Sequence, residues 1–123
     1  MAFRLKLSKR TSEIFEYIYL REHLQPFALV KISIALSIKN KYRYMGEVED
    51  SLGQDLNRQT ITGDYDLLYK KLIEMNEEKS IPEDDYLTKY VKAYIDNGAK
   101  LLEQEYKYTK DIYKHLVQLD KGI

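Results

Sequence analysis

A mainly α chain, opened by one short strand and continued by about five helices, is predicted by three observations. Glycine (five residues) and proline (two) are scarce among the 123 residues and 33% are charged, a composition that favours helices. Apolar residues recur at three- and four-residue spacings along most of the chain. A period of two appears near the N-terminus, where Phe3, Leu5 and Leu7 alternate with Arg4 and Lys6.

That alternation predicts a strand over 3–7 with a basic outer face. Ser8 then suits the N-cap of a helix running to about Leu24, with Ile14, Phe15, Ile18 and Tyr19 as its apolar stripe. Pro26 fits the first turn of a second helix that ends near Ile38. From Phe27 to Ile38 this helix is apolar nearly all round, interrupted by Lys31, Ser33 and Ser37. A helix without a polar face must be covered on every side. In so small a chain a second subunit is the expected cover, and a homo-oligomer follows. A strand followed by two helices is also the layout of ribbon-helix-helix DNA-binding dimers. The N-terminal half is therefore expected to be ribbon-helix-helix-like, with Arg4, Lys6 and Ser8 on the presented face.

Residues 39–63, punctuated by Gly46, Gly53 and Gly63, read as an irregular connection. Asp64 is the expected cap of a third helix to about Lys79, with Tyr65, Leu68, Leu72 and Met75 facing inward. Ser80 to Glu83 has the form of a capping box opening a fourth helix. Along it Tyr86, Tyr90 and Tyr94 recur every four residues, a spacing that belongs to a core or interface before a base-stacking platform. Asn97-Gly98 marks either a break or a close approach by another backbone. A last helical stretch carries Leu101, Leu102, Ile112, Leu116 and Leu119. The whole, 1–123, reads as one domain: a basic strand-helix-helix segment over 1–38, the connection over 39–63, and a helical region with a C-terminal extension over 64–123.

Charge is divided along the chain although its sum is zero. Residues 1–44 hold nine basic and three acidic residues, a balance of +6, and residues 45–123 hold eleven and seventeen, a balance of −6. A phosphate backbone responds to the placement of charge and not to its total. The basic residues Arg4, Lys6, Lys9, Arg10, Lys39, Lys41 and Arg43 are therefore the candidate phosphate contacts.

Other chemistry is thinly supplied. The absence of cysteine removes disulfides, thiolate zinc sites and thiol catalysis, and agrees with a reducing cytosol. No apolar run approaches the roughly 18 residues of a membrane span, and the opening residues do not read as a secretory signal. A soluble, cytoplasmic protein is expected. His23 and His115 are the histidines, neither with a catalytic partner at a recognised spacing, and no phosphate-binding glycine loop is present. The acidic triplet Glu83, Asp84 and Asp85 could hold a cation, but in a first helical turn it more simply complements the helix dipole. No catalytic residue, metal or cofactor is expected.

Four stretches together resemble the DNA sulfur modification protein DndE family. They are Leu5-Lys6-Leu7-Ser8, the turn Leu24-Gln25-Pro26, the central run from Gly53 to Tyr69, and Ile95-Asp96-Asn97-Gly98. The likeness spans about residues 3–102. The central run, with Asn57-Arg58, Thr60 and Gly63-Asp64-Tyr65, is its most specific stretch and adds Arg58 to the candidate DNA contacts. The resemblance implies a role in DNA phosphorothioation, in which sulfur replaces a non-bridging phosphate oxygen and a cysteine desulfurase mobilises the sulfur. It also implies a small helical oligomer, a tetramer, that binds duplex DNA with a preference for nicks and works beside the other modification proteins. The family is not thought to transfer sulfur itself, in keeping with a chain that has no cysteine to carry it. Two departures stand out: Asn97 occupies a place where many relatives have arginine, and the chain continues past the shared region from Tyr106.

The expectation is thus a non-catalytic, homo-oligomeric DNA-binding subunit of a phosphorothioation system. The alternative is a protein scaffold that assembles the other modification proteins with little direct DNA contact.

Overall fold

The computed structural model describes residues 3–122, with side chains described through Lys110. The chain is mainly helical. Strand β1 (Arg4–Lys6) leads into α1 (Lys9–Glu22), and α2 (Pro26–Lys39) follows after a short turn. The connection beyond α2 contains strand β2 (Asp55–Asn57) and the single-turn helix α3 (Arg58–Ile61). A 3₁₀ turn over Gly63–Tyr65 then enters α4 (Asp66–Glu77). Finally α5 (Glu83–Asp85), a π-helical segment (Tyr86–Val91) and α6 (Lys92–Gly122) run on in immediate succession. Among the described residues no helix is long and apolar enough to cross a membrane.

The alternation at the N-terminus becomes a strand because it has a partner. β1 pairs antiparallel with β2, setting Arg4 opposite Asn57, Leu5 opposite Leu56 and Lys6 opposite Asp55. Leu5 and Leu56 point into the core while their neighbours face out, as the pleat requires. In a ribbon-helix-helix dimer this strand would pair with its copy in a second subunit; here its partner lies 51 residues along the same chain. Ser8 caps α1 as expected, its Oγ accepting from the Thr11 backbone N–H at 3.0 Å.

The centre of the fold is the stretch from Tyr86 to Ala99. Tyr86, Leu87, Val91, Tyr94, Ile95 and Ala99 are fully buried, and Tyr90 nearly so. The tyrosine stripe is therefore core. Around it pack Leu7, Ile14, Phe15 and Ile18 from the first segment, Leu29, Val30 and Ile34 from α2, and Ile61, Ile73 and Ile81.

Two helices are arranged differently from the sequence expectation. In α2 the small polar residues Ser33 and Ser37 are buried, facing α6, while Phe27, Ile32 and Ala35 are exposed. Small residues allow the closest helix approach, and Gly98 of α6 meets Ser33 there: a Cβ on Gly98 would stand 1.8 Å from the Ser33 carbonyl oxygen. Asn97-Gly98 is thus a site of close approach within an unbroken helix. In α4 the residues expected to face inward, Tyr65, Leu68, Leu72 and Met75, are exposed, and the chain buries Ile73 and Glu77 instead. Two of the expected caps do not form. Pro82 precedes α5 without a side-chain cap bond, so Ser80 makes no capping box, and Asp64 lies within the 3₁₀ turn.

Candidate nucleic-acid interface

The basic residues of the first segment are set by two anchors on α6. The first holds the β1–α1 junction. Asp96 Oδ1 accepts from the Ser8 backbone N–H at 3.3 Å and from Thr11 Oγ1 at 2.6 Å, adding a second ligand to the N-terminus of α1. Its other oxygen accepts from Lys92 Nζ at 3.0 Å, and that ammonium also donates to the Lys6 carbonyl at 3.1 Å and the Asp50 carbonyl at 2.8 Å. Lys92 and Asp96 are both buried, and their i, i+4 spacing places them on one helix face. With these additional hydrogen bonds, the pair meets the conditions under which a buried ion pair is tolerated. The second anchor holds the C-terminal half of α2. Ser37 Oγ donates to the Tyr94 carbonyl at 2.6 Å, and Asn97 Nδ2 donates to Ser37 Oγ at 3.0 Å. Residues 92–97 of α6 therefore fix both the origin of Lys6 and Lys9 and, two and four residues past Ser37, that of Lys39 and Lys41.

The candidate contacts divide by what already neutralises them. Arg4 Nε lies 3.2 Å from both Asp55 carboxylate oxygens, across the β1–β2 ladder. Arg10 reaches Glu103 of α6 at 2.6 Å, and Arg43 reaches Glu78 at 3.5 Å. Lys6, Lys9, Lys39 and Lys41 are exposed and have no carboxylate within salt-bridge distance among the described residues. Lys39 ends α2 and Lys41 follows it, at the helix C-terminus where cations complement the helix dipole. The acidic connection lies in the same region. Asp50 Oδ1 accepts from the backbone N–H groups of Lys9 (2.9 Å) and Leu52 (3.0 Å), which hold its carboxyl below its ordinary pKa, and Glu49 pairs with Lys100.

Arg58 is engaged elsewhere. Its guanidinium makes a two-pronged contact with Asp66, Nε to Oδ1 at 3.0 Å and Nη2 to Oδ2 at 2.6 Å. Its Nη1 meets Glu83 at 2.7 Å, and the centroid of the Tyr86 ring lies 5.1 Å away. Lys70 completes the group, 3.0 Å from Glu83. Burial pushes the Asp66 carboxyl up, but the hydrogen bonds from Arg58 and Thr62 outweigh it and hold the group below its ordinary pKa. Arg58 and Lys70 lower Glu83 in the same way. Forked arginine–carboxylate contacts of this kind tie elements together, and here they join α3, α4 and α5. Of the acidic triplet, Glu83 is taken up in this cluster and Asp85 pairs with Lys89 at 3.1 Å. No group of three or more potential ligands among the described residues could hold a metal ion.

The family model for the DNA sulphur modification protein DndE matches residues 4–110. The chain belongs to the DndE family. Solved DndE structures share its fold. One, described as DndE from Escherichia coli B7A involved in DNA phosphorothioation modification, is 18% identical, with a TM-score of 0.69 over 83% of this chain and 97% of that one. A second, a mutant DndE involved in DNA phosphorothioation, is 17% identical, with a TM-score of 0.65 over 85% and 99%. No curated protein sequence matches the chain.

Asp96, Asn97 and Gly98 bind α1 and α2 to α6, and Lys92 adds the β1 backbone through the Lys6 carbonyl. Sequence reading marked Gly98, and Asp96 as part of the family-like stretch, but missed Lys92 and its pairing with Asp96, whose signal was an acid and a base four residues apart on a helix. It likewise gave no partner to Arg58, because Asp66 and Glu83 are brought to it only by the fold.

Proposed function

We propose that this member of the DndE family is a non-catalytic DNA-binding subunit of a phosphorothioation system, holding duplex DNA, nicked duplex included, through phosphate contacts. One observation carries the reading. In a DNA sulphur modification family, Lys6, Lys9, Lys39 and Lys41 project from the two segments anchored on residues 92–97 of α6, and no carboxylate among the described residues pairs with them. An exposed ammonium without a carboxylate partner has less to give up on meeting a phosphate than an arginine already held by an acid. Arg4, Arg10 and Arg43 are secondary contacts on this reading, since each would first have to leave Asp55, Glu103 or Glu78. Arg58 belongs to the cluster that ties α3 to α5.

Binding of this kind is independent of sequence and steep in salt. Each lysine that neutralises a phosphate contributes ~0.9 to the slope of log affinity against log salt. Fluorescence-anisotropy titrations of a labelled duplex at several salt concentrations test it. Changing Lys6, Lys9, Lys39 and Lys41 together to glutamine lowers the slope by roughly 3 to 4 per protomer and weakens binding at every sequence. An unchanged slope and affinity would remove the four lysines from the interface. The scaffold reading is favoured by exposed Tyr19, Leu20 and Leu24 at the end of α1. Capture of purified modification proteins without nucleic acid, together with no DNA binding by the wild type, would establish it in place of the first.

A further inference from the structure

Helices α2 and α4 end beside each other, and in the same way. After each, one residue takes the left-handed backbone, Lys41 at φ 57° and Glu78 at φ 60°. The next amide then reaches back five residues, Tyr42 N–H to the Ser37 carbonyl at 2.9 Å and Lys79 N–H to the Glu74 carbonyl at 3.2 Å. Glycine is the usual residue at such an end, because a Cβ is strained there. A lysine kept in that conformation costs the backbone something, and strain of this kind gathers where a side chain is used. The two turns are joined by Glu77, the last residue of α4. It is buried and has no salt-bridge partner among the described residues. Burial and the negative end of the helix dipole both disfavour an acid at that place. Its Oε2 accepts from the Tyr44 backbone N–H at 2.9 Å and from the Tyr94 hydroxyl at 2.6 Å, and the adjacent Asn76 donates to the Tyr42 carbonyl at 2.5 Å. The backbone on both sides of Arg43 is thereby fixed to α4, and Arg43 itself reaches Glu78 at 3.5 Å. Lys79 comes to the same spot: its Nζ lies 5.6 Å from the centroid of the Tyr90 ring, against which the Tyr44 ring packs at 4.8 Å. Tyr90 and Glu77 hold its ammonium above its ordinary pKa, although Arg43 opposes the shift. Lys79 is exposed, and no carboxylate among the described residues pairs with it.

We propose that the joined ends of α2 and α4 form one site for the phosphates of a polynucleotide backbone, in which Lys79 stands with Lys39, Lys41 and Arg43 and Glu77 is the positioning residue. The inference rests on the DNA-binding reading and adds to it a cation from outside the basic N-terminal segment and a buried acid. Helix dipoles account for cations at two C-termini, but not for a left-handed lysine or a buried glutamate. A cation that only complemented the dipole could sit in the last turn, as Lys39 does, with glycine after it. Lysines meet phosphates as point charges on flexible stems, so such a site needs its ammonium groups to stand together more than it needs exact angles. Glu77 and Asn76 provide that by fixing the backbone of one turn to the other.

Anisotropy titration of a labelled duplex over a salt series, with a urea midpoint for each variant, tests the proposal. Lys79→Gln lowers the log–log slope by ~0.9 per protomer at an unchanged midpoint. Lys41→Gly lowers the slope by a similar amount while the midpoint rises, because the backbone strain is relieved. A lysine serving only the dipole would give the reverse, a lower midpoint and an unchanged slope, and that result would overturn the site. Glu77→Leu lowers the slope with all four cations still present, whereas Glu77→Gln, which keeps the acceptor, leaves it at the wild-type value. Should Glu77→Leu fail to fold, Asn76→Ala, which releases only the Tyr42 tether, gives a smaller loss of the same kind. A wild-type slope in Lys79→Gln, or in both Glu77→Leu and Asn76→Ala, would also overturn the proposal. Lys6→Gln with Lys9→Gln, at the β1–α1 junction, separates it from the broader reading. A slope lowered by that pair but by none of the α2–α4 variants would overturn this site and leave DNA binding standing, and a wild type that binds no duplex would overturn both.

Discussion

Single residues decide how closely α2 and α6 approach. Gly98 has the Ser33 carbonyl where a side chain would begin, and Gly53 meets the α1 N-terminus just as tightly, its missing Cβ falling 2.3 Å from the Ser8 carbonyl oxygen. In both cases the obstacle includes backbone, which cannot swing away as a side chain can. Gly98→Ala therefore forces two central helices apart, and a cost of about 3 kcal/mol or more is expected, at the upper end for overpacking. Urea unfolding followed by circular dichroism checks it; a loss below about 1 kcal/mol would mean that the helices separate freely. Ser8 was legible in the sequence as a cap because that role is local, whereas Asn97-Gly98 was legible only as either a break or a close approach, and the fold decides for the second. Tyr65, Leu68, Leu72 and Met75 were legible as a stripe but not in direction. Periodicity shows which residues share a face, and only the neighbours decide which face is inside.

Among the elements, the fourth helical stretch carries the organisation that sequence reading could not supply. From Tyr86 to Ala99 most residues are buried, and although the tyrosine spacing marked one face as core or interface, nothing in the pattern marked the charged Lys92 and Asp96 as buried. What makes them tolerable is that Lys92 reaches two backbone carbonyls and Asp96 ligates Ser8 and Thr11. Removing one member leaves the other charged and buried. Asp96→Ala is expected to cost ~3–5 kcal/mol, while the double change Lys92→Met with Asp96→Leu costs less than the sum of the single changes. A double-mutant cycle by chemical denaturation measures the coupling, and strict additivity would mean that the two residues act separately. The strands show the same limit from the opposite side: β1 was readable from its alternation, whereas β2 had only Asp55-Leu56-Asn57 to mark it and is defined by its pairing.

Across the whole molecule the sequence division into +6 and −6 segments is partly undone by folding, since Arg4, Arg10 and Arg43 find acids of the second segment. The fold also concentrates its acid sensitivity. Asp66 and Glu83 are held below their ordinary pKa by Arg58, and Glu74 by the Ile81 backbone N–H, from which it accepts at 2.8 Å. A carboxyl whose folded pKa is depressed binds fewer protons in the folded chain than in the unfolded one. Its contribution is complete well above the unfolded value, near pH 4, and is lost as the pH falls through the lower folded value. Stability should therefore be level from about pH 7 to pH 5 and drop steeply below about pH 4. Arg58→Gln removes the guanidinium that depresses Asp66 and Glu83, so it should lower stability at pH 7 and flatten the acid limb together. Urea midpoints for both proteins between about pH 7 and pH 3 decide the point. Parallel curves for wild type and variant would show that Arg58 does not set the acid response, whereas curves that converge toward the acid end place that response in the cluster joining α3, α4 and α5.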